Sequence, residues 1–289
     1  MAMGIRDVMA AAMAMLLAVP MPAHADDAVL APSTPWVLDA TPSGCALRRS
    51  FGSGEMPLIL EMQRFAPGDN FQLNINGAEL RGITASSALR VKYGALPHHE
   101  DPIPFNIGET AREGGKTLPT IFATSTLGDG HADDVPAAVT PQMETQADVI
   151  TLQLRSRAIT LKTGPLDKPF AVMRQCTDAL VESWGLDPAT QNSLSRRTKA
   201  LGAQSWPKRI DYPSGQAARG QQARVNFRLL VGSDGKPTDC KVLRSYNEPA
   251  FDAAACRSLM SFARFEPALD RTGKPVASYY NGTIIWTIP

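Results

Sequence analysis

The feature that most limits the fold of this chain is a set of four cysteines, Cys45, Cys176, Cys240 and Cys256, standing behind an export signal. Arg6 lies in a short N-terminal region, an apolar stretch runs from Val8 to Met21, and Ala23-His24-Ala25 supplies a small-x-small cleavage pattern. The stretch is short for a membrane helix and Pro20 interrupts it. Residues 1–25 are therefore read as a cleavable signal peptide, with an uncleaved membrane anchor as the alternative. Either outcome exports the rest, and an even cysteine count in an exported chain reads as disulfides. No two form a Cys-x-x-Cys pair, and only three histidines follow the signal, which argues against a tetrahedral zinc site. Cys240 and Cys256 are 16 positions apart in one compact segment and are paired on that ground, leaving Cys45 for Cys176.

Two closed loops, one in each half, agree with an asymmetry of charge. The 289 residues carry a net +1, but residues 26–187 carry −7 and residues 188–289 carry +8. The balanced total gives no case for a nucleic-acid partner. No run of 18 apolar residues occurs after the first 25, so no internal membrane span is expected.

Residues 26–35 read as a flexible leader, 36–187 as a β-rich domain of unassigned role, 188–208 as a basic linker and 209–289 as a second domain. Phe71, Leu73 and Ile75 alternate with Gln72, Asn74 and Asn76, the period of a half-buried antiparallel strand. Leu58–Met62, Val149–Leu154 and Ala158–Lys162 are further strand candidates. The Pro- and Gly-rich stretch from Ala95 to Pro141 is expected to be loops with one short strand near Ile121. A helix closes the first domain: Asp167 is placed as its cap, Pro169 in its first turn, and Gly185 as its terminator. Phe170, Met173, Thr177, Leu180, Val181 and Trp184 share one face of it.

In the second domain Val225, Phe227, Leu229 and Val231 alternate with polar neighbours, Asp234-Gly235 marks a hairpin, and Pro249 opens a helix with Phe251, Ala254, Ala255, Leu259 and Phe262 on one face. A last strand is expected from Val276 to Ile288. The fold class is α+β: an antiparallel β-rich domain closed by one helix, then a three-stranded antiparallel sheet carrying one main helix.

This stretch resembles the C-terminal domain of the TonB energy-transducer family. The matching residues are Tyr212-Pro213, Gly220, Val225 to Val231, Asp234-Gly235, Val242, Ser245, Phe251-Asp252, Ala254, Phe265, Pro267-Ala268, Gly273-Lys274-Pro275-Val276 and Trp286. The resemblance implies a periplasmic domain that contacts outer-membrane receptors by pairing strands with a short receptor segment. An energy transducer of that family also has an uncleaved anchor and a long Pro-rich charged spacer. Here the N-terminus reads as cleavable, and a β-rich domain stands in the spacer's place.

Chemistry has little foothold. His98, His99 and Glu100-Asp101 form one group of ligand-type residues, and Asp129, His131, Asp133 and Asp134 another. Solvated loops are the expectation for both, with His98, His99 and His131 the only metal-ligand candidates. Gly52-Ser53-Gly54 lacks the spacing of a nucleophile elbow, and no phosphate-cradling loop occurs. No cofactor and no enzymatic activity are expected. The candidate surface is the last strand, with Tyr279, Tyr280, Ile284, Ile285 and Trp286, together with Arg224 and Arg228 on the exposed face of the first strand. Its partner is expected to be an envelope protein such as an outer-membrane receptor, or a second copy of the chain paired strand to strand; the same aromatics also suit a core, and Arg224 and Arg228 suit either an acidic partner or the −7 half of the same molecule. The chain is read as a periplasmic adaptor, with an inner-membrane-anchored energy transducer as the alternative and a metal-binding protein as a third.

Overall fold

A computed structural model describes residues 27–97, 101–112, 114–128, 138–154, 157–245 and 249–287. The signal peptide, His98, His99, Glu100, Asp129, His131, Asp133, Asp134 and Ile288 lie outside the described residues.

The N-terminal half is built from β1 (Ala28–Leu30), β2 (Val37–Thr41), β3 (Gly44–Phe51), β4 (Leu58–Arg64), β5 (Phe71–Asn76), β6 (Leu89–Tyr93), β7 (Phe105–Ala111), β8 (Thr117–Ser125), β9 (Ile150–Leu154) and β10 (Arg157–Leu161). A six-stranded antiparallel sheet has the order β2-β3-β4-β5-β8-β7, and a four-stranded sheet the order β1-β10-β9-β6. Alternation along β4 and β5 turns Leu58, Leu60, Met62, Leu73 and Ile75 inward. They meet Leu152, Ile159 and Leu161 of the smaller sheet in one hydrophobic cluster. A short helix, α1 (Pro141–Gln146), precedes β9. The long helix α2 (Asp167–Ser183) then closes the sandwich with Phe170, Met173, Thr177, Leu180 and Val181 buried.

The expected cap of α2 moves by one residue. Leu166 occupies the cap position and makes no side-chain cap bond. It is buried, its amide donates to Glu144 O at 2.9 Å, and packing thereby sets the helix start. Gly185 ends the helix at φ +76°, as its place in the sequence suggests.

Three expectations are corrected here. The leader is folded: β1 pairs in parallel with β10, Ala28 opposite Ile159, and Asp27 Oδ1 accepts the Ala158 amide at 2.7 Å. The loop-rich stretch holds a full hairpin, β7–β8, with Ile107 opposite Ile121; Pro119 is tolerated because the β5 ladder stops at Thr120. The basic linker is not free either. After α3 (Pro188–Gln191), β11 (Lys199–Ala200) pairs with β14 (Phe265–Glu266), and Trp206 enters the second core. Lys199 and Arg196 reach Glu266 at 3.8 and 3.5 Å, so part of its charge is paired.

The C-terminal half adds α4 (Ser214–Ala218), β12 (Ala223–Val231), β13 (Pro237–Ser245), α5 (Pro249–Phe262), β15 (Ala268–Leu269), β16 (Pro275–Val276) and β17 (Ser278–Trp286). The sheet order is β13-β12-β17, all antiparallel. Phe251, Ala254, Ala255 and Leu259 of α5 pack with Val225, Phe227 and Leu229 in a second cluster. Gly235, at φ +76° in the β12–β13 turn, sits where a Cβ would lie 2.2 Å from Phe265 O. The last strand is shorter than expected. Pro275–Val276 pairs with β15 instead, held by the turn Asp270–Lys274, and the strand proper begins at Ser278. The disulfides join Cys45 to Cys176 and Cys240 to Cys256. The first fastens β3 to α2 and the second fastens β13 to α5.

Candidate partner-binding surface

Strand alternation sorts the seven expected contact residues onto two faces of the β12–β17 pair. Tyr280, Ile284 and Trp286 point toward α5. Trp286 packs on Phe251 at 5.1 Å between ring centroids, and Tyr280 on Phe265 at 5.2 Å and Trp206 at 5.7 Å. Burial raises the Tyr280 pKa. These three are core residues, the role the sequence left open as the alternative. Gly282 lies opposite Phe227, where a Cβ would come within 2.5 Å of the Phe227 ring; the missing side chain is what lets that ring lie flat in the core.

The other face carries Arg224, Asn226 and Arg228 of β12 and Tyr279, Asn281, Thr283 and Ile285 of β17. The expectation that Arg228 is exposed is corrected: it is 6% exposed, with its guanidinium 4.0 Å from the centre of the Trp184 ring. Burial lowers the Arg228 pKa, offset only in part by Asp239. Trp184 ends α2 of the other half, and its ring also meets Tyr279 edge-on at 5.2 Å. Burial raises the Tyr279 pKa, against an opposing effect of Arg197. Arg224 is half-buried, in a cleft of about 530 Å³ that it shares with Arg244, Asn106 and Glu109. So the basic face meets the N-terminal half of the same molecule.

Other cross-contacts hold the halves together. Arg244 Nη1 of β13 donates to Gln63 Oε1 at 2.7 Å and to Glu61 Oε1 at 3.3 Å. Glu61 is 7% exposed, and its carboxylate also accepts from Arg48 Nε at 2.5 Å and Asn74 Nδ2 at 2.7 Å. Burial alone would raise the Glu61 pKa, but Asn74, Arg48 and Arg244 outweigh it and hold the pKa below 4.5. Within the C-terminal half, Gln191 Nε2 of α3 donates to Ala277 O at 2.9 Å and Gln191 Oε1 accepts from Ser278 Oγ at 2.7 Å, which ties the connecting segment to the start of β17. Sequence reasoning missed the roles of Glu61, Trp184 and Gln191; the opposed charges of the halves were a signal for the Arg244–Glu61 contact alone.

With one face on α5 and the other partly covered by the sandwich, the sheet offers its edges and the exposed Thr283 and Ile285 at the end of β17. Along β13 the register with β12 shifts twice, and Asp239 and Lys241 are exposed. Bulges and charges of this kind blunt an edge. Along β17 all nine residues pair with β12 without a shift, from Ser278–Val231 to Trp286–Ala223. No strand among the described residues pairs on its outer side, and Ile285 is 53% exposed.

Among the described residues no group of three or more His, Cys, Asp or Glu is placed to hold a metal ion, and no helix is long and apolar enough to cross a membrane. The family model for the Gram-negative bacterial TonB protein C-terminal matches residues 208–288. No curated protein matches the chain. Among solved structures, the solution NMR structure of the Pseudomonas aeruginosa TonB C-terminal domain is similar: it is 32% identical over 32% of this chain and 86% of that one, with a TM-score of 0.24. Residues 208–288, which hold the β12-to-β17 sheet and helix α5, thus form a TonB C-terminal domain.

Proposed function

We propose that this protein is a non-enzymatic periplasmic adaptor that recognises an outer-membrane receptor or another envelope component by adding an extended partner segment to the outer side of β17. The TonB C-terminal domain is a protein-interaction module of the cell envelope. The observation that carries the finer reading is the regular, nine-residue open edge of β17, beside a β13 edge that is bulged and charged. Main-chain groups on such an edge supply affinity, and exposed Thr283 and Ile285 contribute side-chain contacts on the same face. The β-sandwich orients the edge and covers part of the sheet face behind it, at Arg228 and Tyr279.

The test is in-cell photo-crosslinking with a photoreactive residue in place of Ile285 of the full chain. An adduct with an outer-membrane protein is the expected product. An adduct only with a second copy of the chain would replace the adaptor reading by self-pairing, and no adduct would remove β17 as the binding edge. The mass of the protein in the same cells separates adaptor from energy transducer, since an N-terminus at Asp26 excludes an anchored chain.

A further inference from the structure

The N-terminal sandwich has an open edge of its own. β7 is the last strand of the six-stranded sheet, and among the described residues no strand pairs on its outer side. All seven of its residues pair with β8 without a shift, from Phe105–Ala123 to Ala111–Thr117. The hairpin beyond closes with the Arg112 amide donating to Lys116 O at 2.8 Å. Along an antiparallel ladder, inward and outward main-chain groups alternate residue by residue. Asn106, Gly108 and Thr110 therefore turn their N–H groups toward β8, whereas Ile107 and Glu109 turn theirs outward.

A cleft lies on each side of this edge. Ile107 stands opposite the buried Ile121, so Ile107 and Glu109 face the core side and Asn106, Gly108 and Thr110 the other. The core-side cleft, of about 490 Å³, is lined by the half-buried Ile83, Ile107 and Pro119. The opposite cleft, of about 530 Å³, lies between β7 and the half-buried Arg224 and Arg244 of the C-terminal sheet. Arg244 bonds to Glu61 and Gln63 while 31% of its side chain stays in solvent. Gly108, at the middle of the strand, lines both clefts. A glycine inside a strand suits the close approach of another backbone.

A strand laid against β7 would send alternate side chains into the two clefts. We propose that β7 takes up an extended segment of a partner protein in which acidic and aliphatic side chains alternate. Its main chain pairs with the outward groups of Ile107 and Glu109, its aliphatic side chains enter the cleft of Ile83 and Pro119, and its carboxylates face Arg224 and Arg244. Charge selects this occupant: Arg81, Arg224 and Arg244 line the two clefts against one acid, Glu109. A second copy of β7 would bring one carboxylate of its own, and Asn106, Gly108 and Thr110 would offer the arginines no charge. The edge lies outside residues 208–288, so it is a second interaction surface and stands independently of the reading of β17.

The test is a titration of the full oxidised chain with three labelled, end-capped peptides of seven residues, read by fluorescence anisotropy. The first alternates four glutamates with three valines, the second has lysine in place of glutamate, and the third has the first composition with the valines in one block. Only the first should saturate. E109P removes an outward N–H at an exposed position and leaves the β7–β8 ladder intact, so it should weaken binding about tenfold or more and keep its melting transition. E109A keeps that N–H and should bind at least as well as the native chain. R224A should weaken binding about two- to fivefold, the effect of a partly solvated charge pair. Equal binding of the glutamate and lysine peptides, or of the alternating and block peptides, would overturn the proposal. So would native affinity in E109P, which would place the peptide on another edge, or an E109A defect as large as that of E109P. If E109P loses its melting transition, the peptide contrasts and R224A decide. A dimer that E109P dissolves, with no peptide bound, would make a second copy the occupant and overturn the acidic partner. The Ile285 adduct should persist in E109P; its loss would merge the two edges into one site and overturn the assignment to β7.

Discussion

Neutralising Glu61 tests how the two halves are held together. The substitution Glu61→Gln keeps the side-chain volume and one acceptor for Asn74, but it removes the charge that Arg48 and Arg244 share and turns an N–H₂ group toward one of them. Arg48 has half of its side chain in solvent, so its pairing contributes little; the larger loss comes from the buried carboxylate itself. A hydrogen bond to a charged group contributes about 1.5–3 kcal/mol, so one such loss should lower stability by about 2 kcal/mol. For a folded unit of this size that is a drop of about 4–8 °C in Tm. The pH dependence carries a definite sign. The folded-state pKa of Glu61 lies below its unfolded value of 4.5, so its contribution is complete above that pH and is lost as pH falls through the folded value. The gap between native chain and E61Q should therefore be widest near neutrality and close in acid. Thermal melts by circular dichroism across that range read both effects. A double-mutant cycle with Arg244→Ala completes the test, because R244A should cost less in the E61Q background than in the native one. Equal melting temperatures at neutral pH, or a gap that does not change with acid, would refute the account of Glu61. Strict additivity with R244A would show that this pair does not join the halves.

Two further substitutions address neighbouring contacts. Trp184→Ala removes the ring between Arg228 and Tyr279, at a cost of about 2 kcal/mol for the desolvated cation–π contact and about 1 kcal/mol for the aromatic pair; ¹⁵N relaxation should then show the two halves tumbling more independently, and an unchanged correlation time would speak against the contact as a fastener. Gly282→Ala places a methyl group 2.5 Å from the buried Phe227 ring and should destabilise the C-terminal unit by about 1–3 kcal/mol in chemical denaturation, whereas a neutral result would mean that the strand shifts freely at that point.

The core of each half was legible because it follows short-range periodicity. Leu73 and Ile75, Phe170 to Val181, and Phe251 to Leu259 all stand where alternation or helical spacing puts them. The same alternation misled about the opposite faces. Asn74 and Arg228 are polar and occupy outward positions, which reads as solvent contact, yet they are 6% and 6% exposed because another part of the chain lies over them. Nothing local to β5 or β12 encodes that cover. It depends on Glu61, Trp184 and Arg244, which are distant in sequence and meet only in the folded molecule. The edge strand was legible in kind but not in length: a proline and a short ribbon shorten it to Ser278–Trp286. The charge opposition between the halves was visible from the start, but a sum of charges names no contact.

The Cys45–Cys176 bond has a mechanical consequence should the chain ever bear load. If tension reaches the sandwich and unfolds it, the stretch between the two cysteines, a sequence separation of 131, contributes no length while the bond is intact. About 430–470 Å of contour is thereby withheld from extension. The second bond withholds a further stretch, of sequence separation 16, in the C-terminal half. In an oxidising compartment the stretched molecule therefore behaves as a short tether with little slack. A reductant would lengthen it abruptly, a step that single-molecule pulling would register as a jump in extension at constant force.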